Sequence, residues 1–283
     1  VNKMKSMEWL FKIDRRVVFL ILAVVVILPL LVPLNLGVRI SPPVKQLFDE
    51  IDKIPPNNKP LMISIDFDPN SMPELYPMYL AVLRHAFAKN VRVIILGLWL
   101  TGISIGEEGL REVSRDFNKV NGKDYVFLGW QAGVAAVILG MGENIKRVFP
   151  ADYYNTPLDS LPLMRDVRNY SDVPLFVSFS AGDPGYRAWV TYAGSSYGLR
   201  IGTGVTAVSG ADAYPYLQTG QLVGLLAGMK GGAEYENLVE KAGYYKGAKI
   251  ATQAMDSQSL AHLAIMILVI LGNIGFFILG RPK

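Results

Sequence analysis

Residues 61–67 read LMISIDF and residues 91–100 read VRVIILGLWL, with a helix-length segment, residues 73–89, between them. Both runs are apolar almost throughout, which is typical of strands that are buried on both faces of a sheet. The same order repeats further on, because a helical pattern at 107–121 is followed by a third apolar run at 125–130. Short buried strands that alternate with helices of this length predict parallel strands with right-handed crossovers.

The chain continues this alternation downstream. Residues 131–148 predict the next helix, and a proline-containing loop leads to a fourth strand at 174–180. A helix around 186–193 and a fifth strand at 199–208 follow. We therefore predict an α/β domain of Rossmann-like, doubly wound type over residues 60–257, with a mostly parallel sheet of about five strands.

Four glycines recur every fourth residue near the end of this domain, at Gly220, Gly224, Gly228 and Gly232. On a helix this spacing places them along one side. Each glycine costs about 1 kcal/mol relative to alanine in a helix interior, so the ridge requires a compensating contact. We expect a close approach of another backbone, either from the same domain or from a partner chain.

Two long apolar segments flank the domain. Residues 17–37 read VVFLILAVVVILPLLVPLNLG, without a charged side chain, and residues 258–280 form a second, mainly apolar stretch that contains Asn273. Each is long enough to cross the ~30 Å hydrocarbon core of a bilayer as a helix. No Ala-x-Ala-like cleavage site follows the first segment, so we expect it to be retained as an anchor. Asn273 indicates that one side of the second helix faces protein.

The positive charge of the chain lies next to these apolar segments. The net charge is +4, and residues 1–16 contribute +3 while residues 281–283 contribute +2, which leaves −1 for the rest. By the positive-inside rule we expect a cell (inner) membrane protein with a basic amphipathic segment at 1–16 and a tail at 281–283, both cytoplasmic. A proline-rich stalk at 38–59 then leads to an extracytoplasmic domain. The two apolar segments make the lipid bilayer an expected partner. Because the domain has no excess of basic residues, we expect no nucleic acid as a partner.

Composition limits the available chemistry. The chain has no cysteine and two histidines, His85 and His262, which lie far apart in the sequence. Disulfides, cysteine-ligated zinc and a thiol nucleophile are thereby excluded, and two histidines cannot build a histidine metal cluster within one subunit. We expect no cofactor and no resident metal.

Polar residues follow the predicted strands at their carboxyl ends, where open parallel sheets bind ligands. The candidate ligand-binding residues are Asp66, Asp68, Asn70, Ser180, Asp183 and Ser209. Gln131 reaches the same edge after the third strand. No catalytic residue can be named from this pattern.

Asp66 and Asp68 form the most suggestive pair, because two carboxylates one residue apart at a strand end can hold Mg²⁺. Over about ten residues, 62–71, the arrangement resembles the first motif of the haloacid-dehalogenase-like phosphatases, which implies a metal-dependent hydrolase. Pro69 and Asn70 stand where that family would have a threonine or valine. The alternative is a turn in which Asp68, Pro69 and Asn70 cap the next helix.

Two functions are compatible with this sequence. The leading hypothesis is a structural or assembly subunit of a membrane complex, which contacts other subunits or a second copy of itself through the glycine ridge, the stalk helix and the anchors. The rival is a small-molecule receptor or metal-dependent hydrolase that uses the crevice around Asp66 and Asp68. Features of close packing outnumber catalytic ones, so the sequence favours a protein that is not an enzyme.

Overall fold

The computed structural model describes residues 14–32 and 34–279. It divides into two compact units, Val1–Gly37 with Thr252–Lys283, and Val38–Ala251. Most of the predicted amphipathic segment, residues 1–13, and the predicted tail at 281–283 lie outside the described residues.

The second unit contains six strands and most of the helices. The strands are β1 (Leu61–Asp66), β2 (Val93–Gly97), β3 (Tyr125–Trp130), β4 (Phe176–Ser180), β5 (Ile201–Val205) and β6 (Gly224–Ala227). The longer helices of the described chain are α1 (Arg15–Leu31), α2 (Pro42–Asp52), α3 (Met72–Ala88), α4 (Ile103–Asp116), α5 (Val134–Glu143), α6 (Ala207–Gln218), α7 (Gly228–Lys241) and α8 (Ile250–Leu279). A helical segment at residues 186–197, part of it π-helical, connects β4 to β5.

The six strands form one all-parallel sheet in the order β3-β2-β1-β4-β5-β6. In this order the chain starts at the centre, builds one half outward, and then returns to build the other half from β4, as in doubly wound folds. Ile63 of β1 pairs with Ile95 of β2 on one side and Val177 of β4 on the other. The prediction of a parallel, Rossmann-like α/β fold is confirmed, with six strands instead of about five.

Each face of the sheet carries its own apolar core. Because alternate strand residues point to opposite faces, Ile63 and Ile65 pack with α2, α3, α4 and α7, whereas Met62 packs on the other face with α5 and residues 186–197. All three of these β1 side chains are fully buried. Burial on both faces explains why the strands read as continuous apolar runs in the sequence.

The predicted glycine-spaced helix is wrong. Its four glycines fall in different elements: Gly220 in the turn after α6, Gly224 at the start of β6, and Gly228 and Gly232 in α7. They do permit close approaches, but to separate elements. A Cβ at Gly224 would meet the backbone of Leu47 in α2, and a Cβ at Gly228 would meet the backbone of Ala207 in α6. A period of four residues therefore arose from a turn, a strand and a helix start in succession.

The first unit holds α1 and most of α8. Helix α1 has 17 residues, which gives a length of about 26 Å, at the short end of what a bilayer span requires. Among the described residues, one helical stretch, Ile250–Ile274 of α8, is long and apolar enough to cross a membrane, with a mean hydropathy of 1.7. The structure thus supports one membrane-length helix, and not the pair of flanking spans predicted from the sequence.

Asn273 lies on α8, where it was predicted to face protein. Its side-chain amide donates to the backbone carbonyl of Val269 at 2.9 Å, and the residue is exposed. The amide is therefore satisfied in part within its own helix.

Candidate functional site

The point where the strand order reverses lies between the carboxyl ends of β1 and β4, and Asp66 ends β1 at this point. Asp66 is completely buried. Its carboxylate accepts four hydrogen bonds, from Ser64 Oγ at 2.6 Å, the backbone N–H of Leu98 at 2.8 Å, Ser178 Oγ at 2.8 Å and Trp189 Nε1 at 3.1 Å. Two donors on each oxygen fill the capacity of a carboxylate. Asp66 therefore ties β1 to β4, to the loop after β2 and to residues 186–197.

The electrostatic state of Asp66 follows from this burial. Desolvation raises its pKa to about 6, although the four hydrogen bonds oppose the shift. None of its four partners carries a charge, so the ionised form is stabilised by dipoles alone.

Trp99 spans the same point from the loop after β2. Its indole Nε1 donates to the backbone carbonyl of Pro184, in the loop after β4, at 2.5 Å. Because β1 lies between β2 and β4 in the sheet, this bond joins the two loops that flank the end of β1. The crevice in which doubly wound folds usually bind their ligand is thus bridged by the protein itself.

The predicted pair Asp66 and Asp68 does not present two free carboxylates. Asp68 accepts a hydrogen bond from the backbone N–H of Ser71 at 3.2 Å and one from Asn70 Nδ2 at 3.1 Å. These contacts form the turn that precedes α3, as in the alternative interpretation of the sequence. In the part of the chain that the structure describes, no three His, Asp or Glu side chains come together to hold a metal ion.

The other predicted site residues lie at the predicted edge but are engaged locally. Ser180 is buried, pairs in register with Asp66, and donates to the carbonyl of Gly182 at 3.0 Å. Asp183 forms an exposed ion pair with Arg187 at 3.2 Å. Ser209 accepts from Thr206 Oγ1 at 3.1 Å at the start of α6. The structure brings Asp66 next to Ser180 and Asp68 next to Asn70, and gives Asp183 and Ser209 separate structural contacts.

An open groove lies to one side of the switch point, beyond the ends of β2 and β3, and we refer to it as the β3 groove. Its volume is about 400 Å³. It is lined by Leu100, Ile103, Leu128, Gly129, Trp130, Gln131, Phe149, Pro150, Ala151, Asp152, Tyr153 and Asn155. Leu100, Trp130 and Tyr153 expose 64%, 38% and 47% of their surface, so large apolar side chains are left open to solvent at one place.

A β-bulge shapes one wall of the β3 groove. The register between β2 and β3 shifts after Ile95, because Leu96 pairs with Gly129 and Leu128 is passed over. Gly129 has φ +79°, a conformation that glycine adopts at little cost. The next residue, Trp130, lines the groove and donates its Nε1 to the carbonyl of Leu98 at 3.1 Å. The indole is therefore held by the first residue after β2.

A tight turn forms the opposite wall. The buried Asp152 accepts hydrogen bonds at Oδ1 from the backbone N–H groups of Tyr154 at 3.0 Å and Thr156 at 2.8 Å, and at Oδ2 from Asn121 at 3.2 Å. Asn155 within this turn has φ +64°. The backbone N–H of Tyr153 donates to the carbonyl of Phe127 in β3 at 2.8 Å. These bonds fix the backbone that carries Tyr153 and Asn155 at the groove.

A second group of ionisable side chains lies between α2, α3 and α7. His85 is completely buried, its Nδ1 is 2.7 Å from the hydroxyl of Tyr235, and its Nε2 is 3.4 Å from Asp52 Oδ1. Its ring stacks on Phe48 and Tyr244 at centroid distances of 4.3 and 5.0 Å. Burial lowers the pKa of His85 to about 4, so the imidazole is neutral and packs as an aromatic ring.

Sequence reasoning found one residue of the β3 groove, Gln131, and missed the others. The glycine–tryptophan pair at the end of the third strand was an available signal, since a glycine beside a large aromatic at a strand end is typical of a bulge. The contribution of Tyr153 had no such signal, because it comes from a loop far along the chain. No protein-family model, curated protein or solved structure matches the chain at a significant level.

Proposed function

We propose that this protein is a non-catalytic assembly subunit of a membrane complex, anchored in the cell (inner) membrane by α8, the described helix of membrane length, together with the shorter α1. The observation that carries the proposal is the apolar surface of the first unit. Phe19 and Leu31 on α1 and Phe277 on α8 are exposed to 66%, 74% and 82%. Exposing such side chains to water costs about 25 cal/mol per Å², a cost that lipid removes.

The contact between the two helices supports a paired anchor. Ser257 Oγ on α8 donates to the backbone carbonyl of Val26 on α1 at 2.7 Å. Serine hydroxyls that bond across apolar helices are a usual means of association within a membrane. Arg15 and Arg16 stand at the N-terminal end of α1, which favours a cytoplasmic N-terminus and an extracytoplasmic α/β domain.

A role in assembly is favoured over catalysis by the state of the carboxyl edge. Asp66 is saturated by four donors, Asp68 caps a turn, and Asp183 is paired with Arg187. A general acid, base or metal site built on these carboxylates needs at least one of them to reach a substrate or ion. The partners that we propose are other subunits of the complex or further copies of the chain, together with the lipid bilayer.

The absence of native cysteine makes the topology easy to test. We would introduce Lys123→Cys in the domain and, as the matched control, Ser6→Cys near the N-terminus, and label intact cells with a membrane-impermeant maleimide. The proposal expects labelling at position 123 in intact cells, and labelling at position 6 only after permeabilisation. The reverse pattern would refute the orientation.

Assembly is tested separately by extraction in a mild detergent, followed by a native gel and identification of co-purifying chains. A discrete species larger than one chain in its micelle is expected. A protein that migrates as a monomer at every detergent concentration, with no co-purifying chain, would contradict the assembly role.

A small-molecule receptor is the second candidate, and the β3 groove is the observation that favours it. The sequence predicted a ligand at Asp66 and Asp68, whereas the β3 groove lies beyond β2 and β3. We therefore propose the β3 groove as the ligand site of such a receptor.

A further inference from the structure

The β3 groove is built in advance of any ligand. Its walls contain a β-bulge, a glycine at φ +79° and an asparagine at φ +64°. The ring of Tyr153 packs so closely over Gly129 that an added Cβ would lie 3.2 Å from it. The bulge and the left-handed asparagine cost stability, and such features cluster at sites of function, where they re-aim side chains toward a ligand.

The groove offers aromatic faces and uncharged amides. Trp130 and Tyr153 are partly exposed in it, and the side chains of Gln131 and Asn155 form no hydrogen bond with the described part of the chain. Among the described residues, Asp152 is the one carboxylate that lines the groove, and both of its oxygens already accept hydrogen bonds. No lysine or arginine of the described part of the chain lines it.

This lining selects the charge and polarity of a ligand. A charged ligand would be desolvated without an opposite charge to meet it. A wholly apolar ligand would cover two amides and leave their donors and acceptors unpaired, which costs free energy at each one. An amide can donate to one hydroxyl and accept from its neighbour, and an aromatic face packs well against a flat C–H surface. A ring that has both adjacent hydroxyls and an apolar face meets all of these requirements.

We propose that the β3 groove binds a neutral saccharide, with Trp130 and Tyr153 against the sugar ring and Gln131 and Asn155 on its hydroxyls. The volume of about 400 Å³ lies within the ~300–1,000 Å³ usual for small-molecule sites. This inference gives a ligand class to the receptor candidate and does not depend on the assembly role.

The test uses the full chain in a detergent without a sugar headgroup, because maltosides would occupy the proposed site. Tryptophan fluorescence is the readout, since Trp130 is the one tryptophan among the described residues that lines the groove. The probes are maltose, cellobiose and diacetylchitobiose, with glucuronate as the charged control and cyclohexane, which does not fluoresce, as the apolar control. At least one neutral sugar is expected to give a saturable change at millimolar concentration, with at least tenfold weaker binding of glucuronate.

Variants then locate the site. Gln131→Ala is expected to weaken sugar binding about fivefold, the usual effect of one lost hydrogen bond. Asn155→Gly is expected to have the same effect, and glycine keeps the left-handed backbone conformation at this position. Gln218→Ala, an exposed glutamine at the end of α6, is the matched control and is expected to bind as the parent does. Equal thermal melting of the three variants shows that they are folded. Trp130→Phe and Trp130→Ala lack the reporter indole, so their binding is measured by titration calorimetry. Trp130→Phe is expected to keep the binding and Trp130→Ala to lose it.

Three results would overturn the proposal. The first is no saturable response to any neutral sugar up to ~50 mM, which corresponds to binding weaker than ~2 kcal/mol. The others are unchanged affinity in both amide variants, and binding of cyclohexane that sugars fail to displace. If maltotetraose binds more than tenfold tighter than maltose, the ligand is part of a glycan chain. If the two sugars bind with equal affinity, the ligand is a free sugar. Failure here leaves the cysteine labelling and the native gel unaffected, so the two proposals fail independently.

Discussion

Replacing Asp66 by asparagine is expected to change how the stability of the protein depends on pH. The pKa of Asp66 is raised from 3.8 to about 6 by burial, so the folded state holds this proton more tightly than the unfolded chain. Its contribution to stability is therefore fully present below pH 3.8 and is lost as the pH rises through 6. A shift of about two pH units corresponds to ~3 kcal/mol at 1.36 kcal/mol per unit.

His85 acts in the opposite direction over nearly the same range. Its pKa is lowered by burial from 6.5 to about 4, so its contribution is present above pH 6.5 and is lost as the pH falls through 4. This change is also ~3 kcal/mol. Between pH 4 and 6 the unfolded chain protonates the histidine while the folded state protonates the aspartate. The two bound protons cancel, and these groups together leave the stability of the parent protein almost independent of pH.

Asp66→Asn removes one side of this balance. The free energy of unfolding of the variant, relative to the parent, is expected to rise by ~3 kcal/mol between pH 4 and pH 7. His85→Gln is the companion variant and is expected to show a relative fall of similar size. Both differences can be measured by urea titrations of the full chain in micelles, followed by the fluorescence of the buried Trp189. The contributions of the other carboxylates to the pH dependence cancel in the comparison, because those carboxylates titrate in every protein compared.

The refuting result is specific. If the difference between Asp66→Asn and the parent is constant from pH 4 to pH 7, Asp66 titrates outside this range, and the balance between burial and its four hydrogen bonds has been assigned incorrectly. If both variants change in the same direction, the opposition between Asp66 and His85 does not exist.

Two further substitutions test local geometry. Gly129→Ala places a side chain at φ +79° and against the ring of Tyr153, whereas Gly198→Ala places one at a similar φ of +67° with no atom within 4 Å. Both variants are expected to lose about 1 kcal/mol of stability. Only Gly129→Ala is expected to change the fluorescence of Trp130 and the binding of sugar. Glu234, 1% exposed, accepts hydrogen bonds from Ser41 N at 2.7 Å and Ser41 Oγ at 2.5 Å. Glu234→Gln is expected to cost about 1.5–3 kcal/mol and to speed amide hydrogen exchange at the start of α2; unchanged exchange would mean that this carboxylate does not hold the helix.

Much of the fold could be predicted because it depends on local periodicity. Five strands stood out as apolar runs, whereas β6 has only four residues, Gly224–Ala227, and begins on one of the regularly spaced glycines. Its identity depends on pairing with β5 and on the close approach of Leu47, which are contacts between distant parts of the chain. A helical period in glycine alone cannot reveal such contacts.

The candidate site was predictable only in part, for a related reason. The position of Asp66 at a strand end follows from the alternation of the strand, and Ser64 lies on the same face two residues before it. Ser178 and Trp189, which complete its hydrogen bonds, come from over a hundred residues away. Whether a buried carboxylate is free or saturated is decided by these distant donors.

Two places along the carboxyl edge of the sheet, the switch point and the β3 groove, differ in what their unusual features achieve. At the switch point every device serves stability, since the hydrogen bonds of Asp66 and the bond from Trp99 to Pro184 join neighbouring elements. At the β3 groove the bulge at Gly129 interrupts the ladder between β2 and β3, and Trp130 is left 38% exposed, both of which cost free energy. This difference supports the proposal that a ligand binds at the β3 groove and not at the switch point.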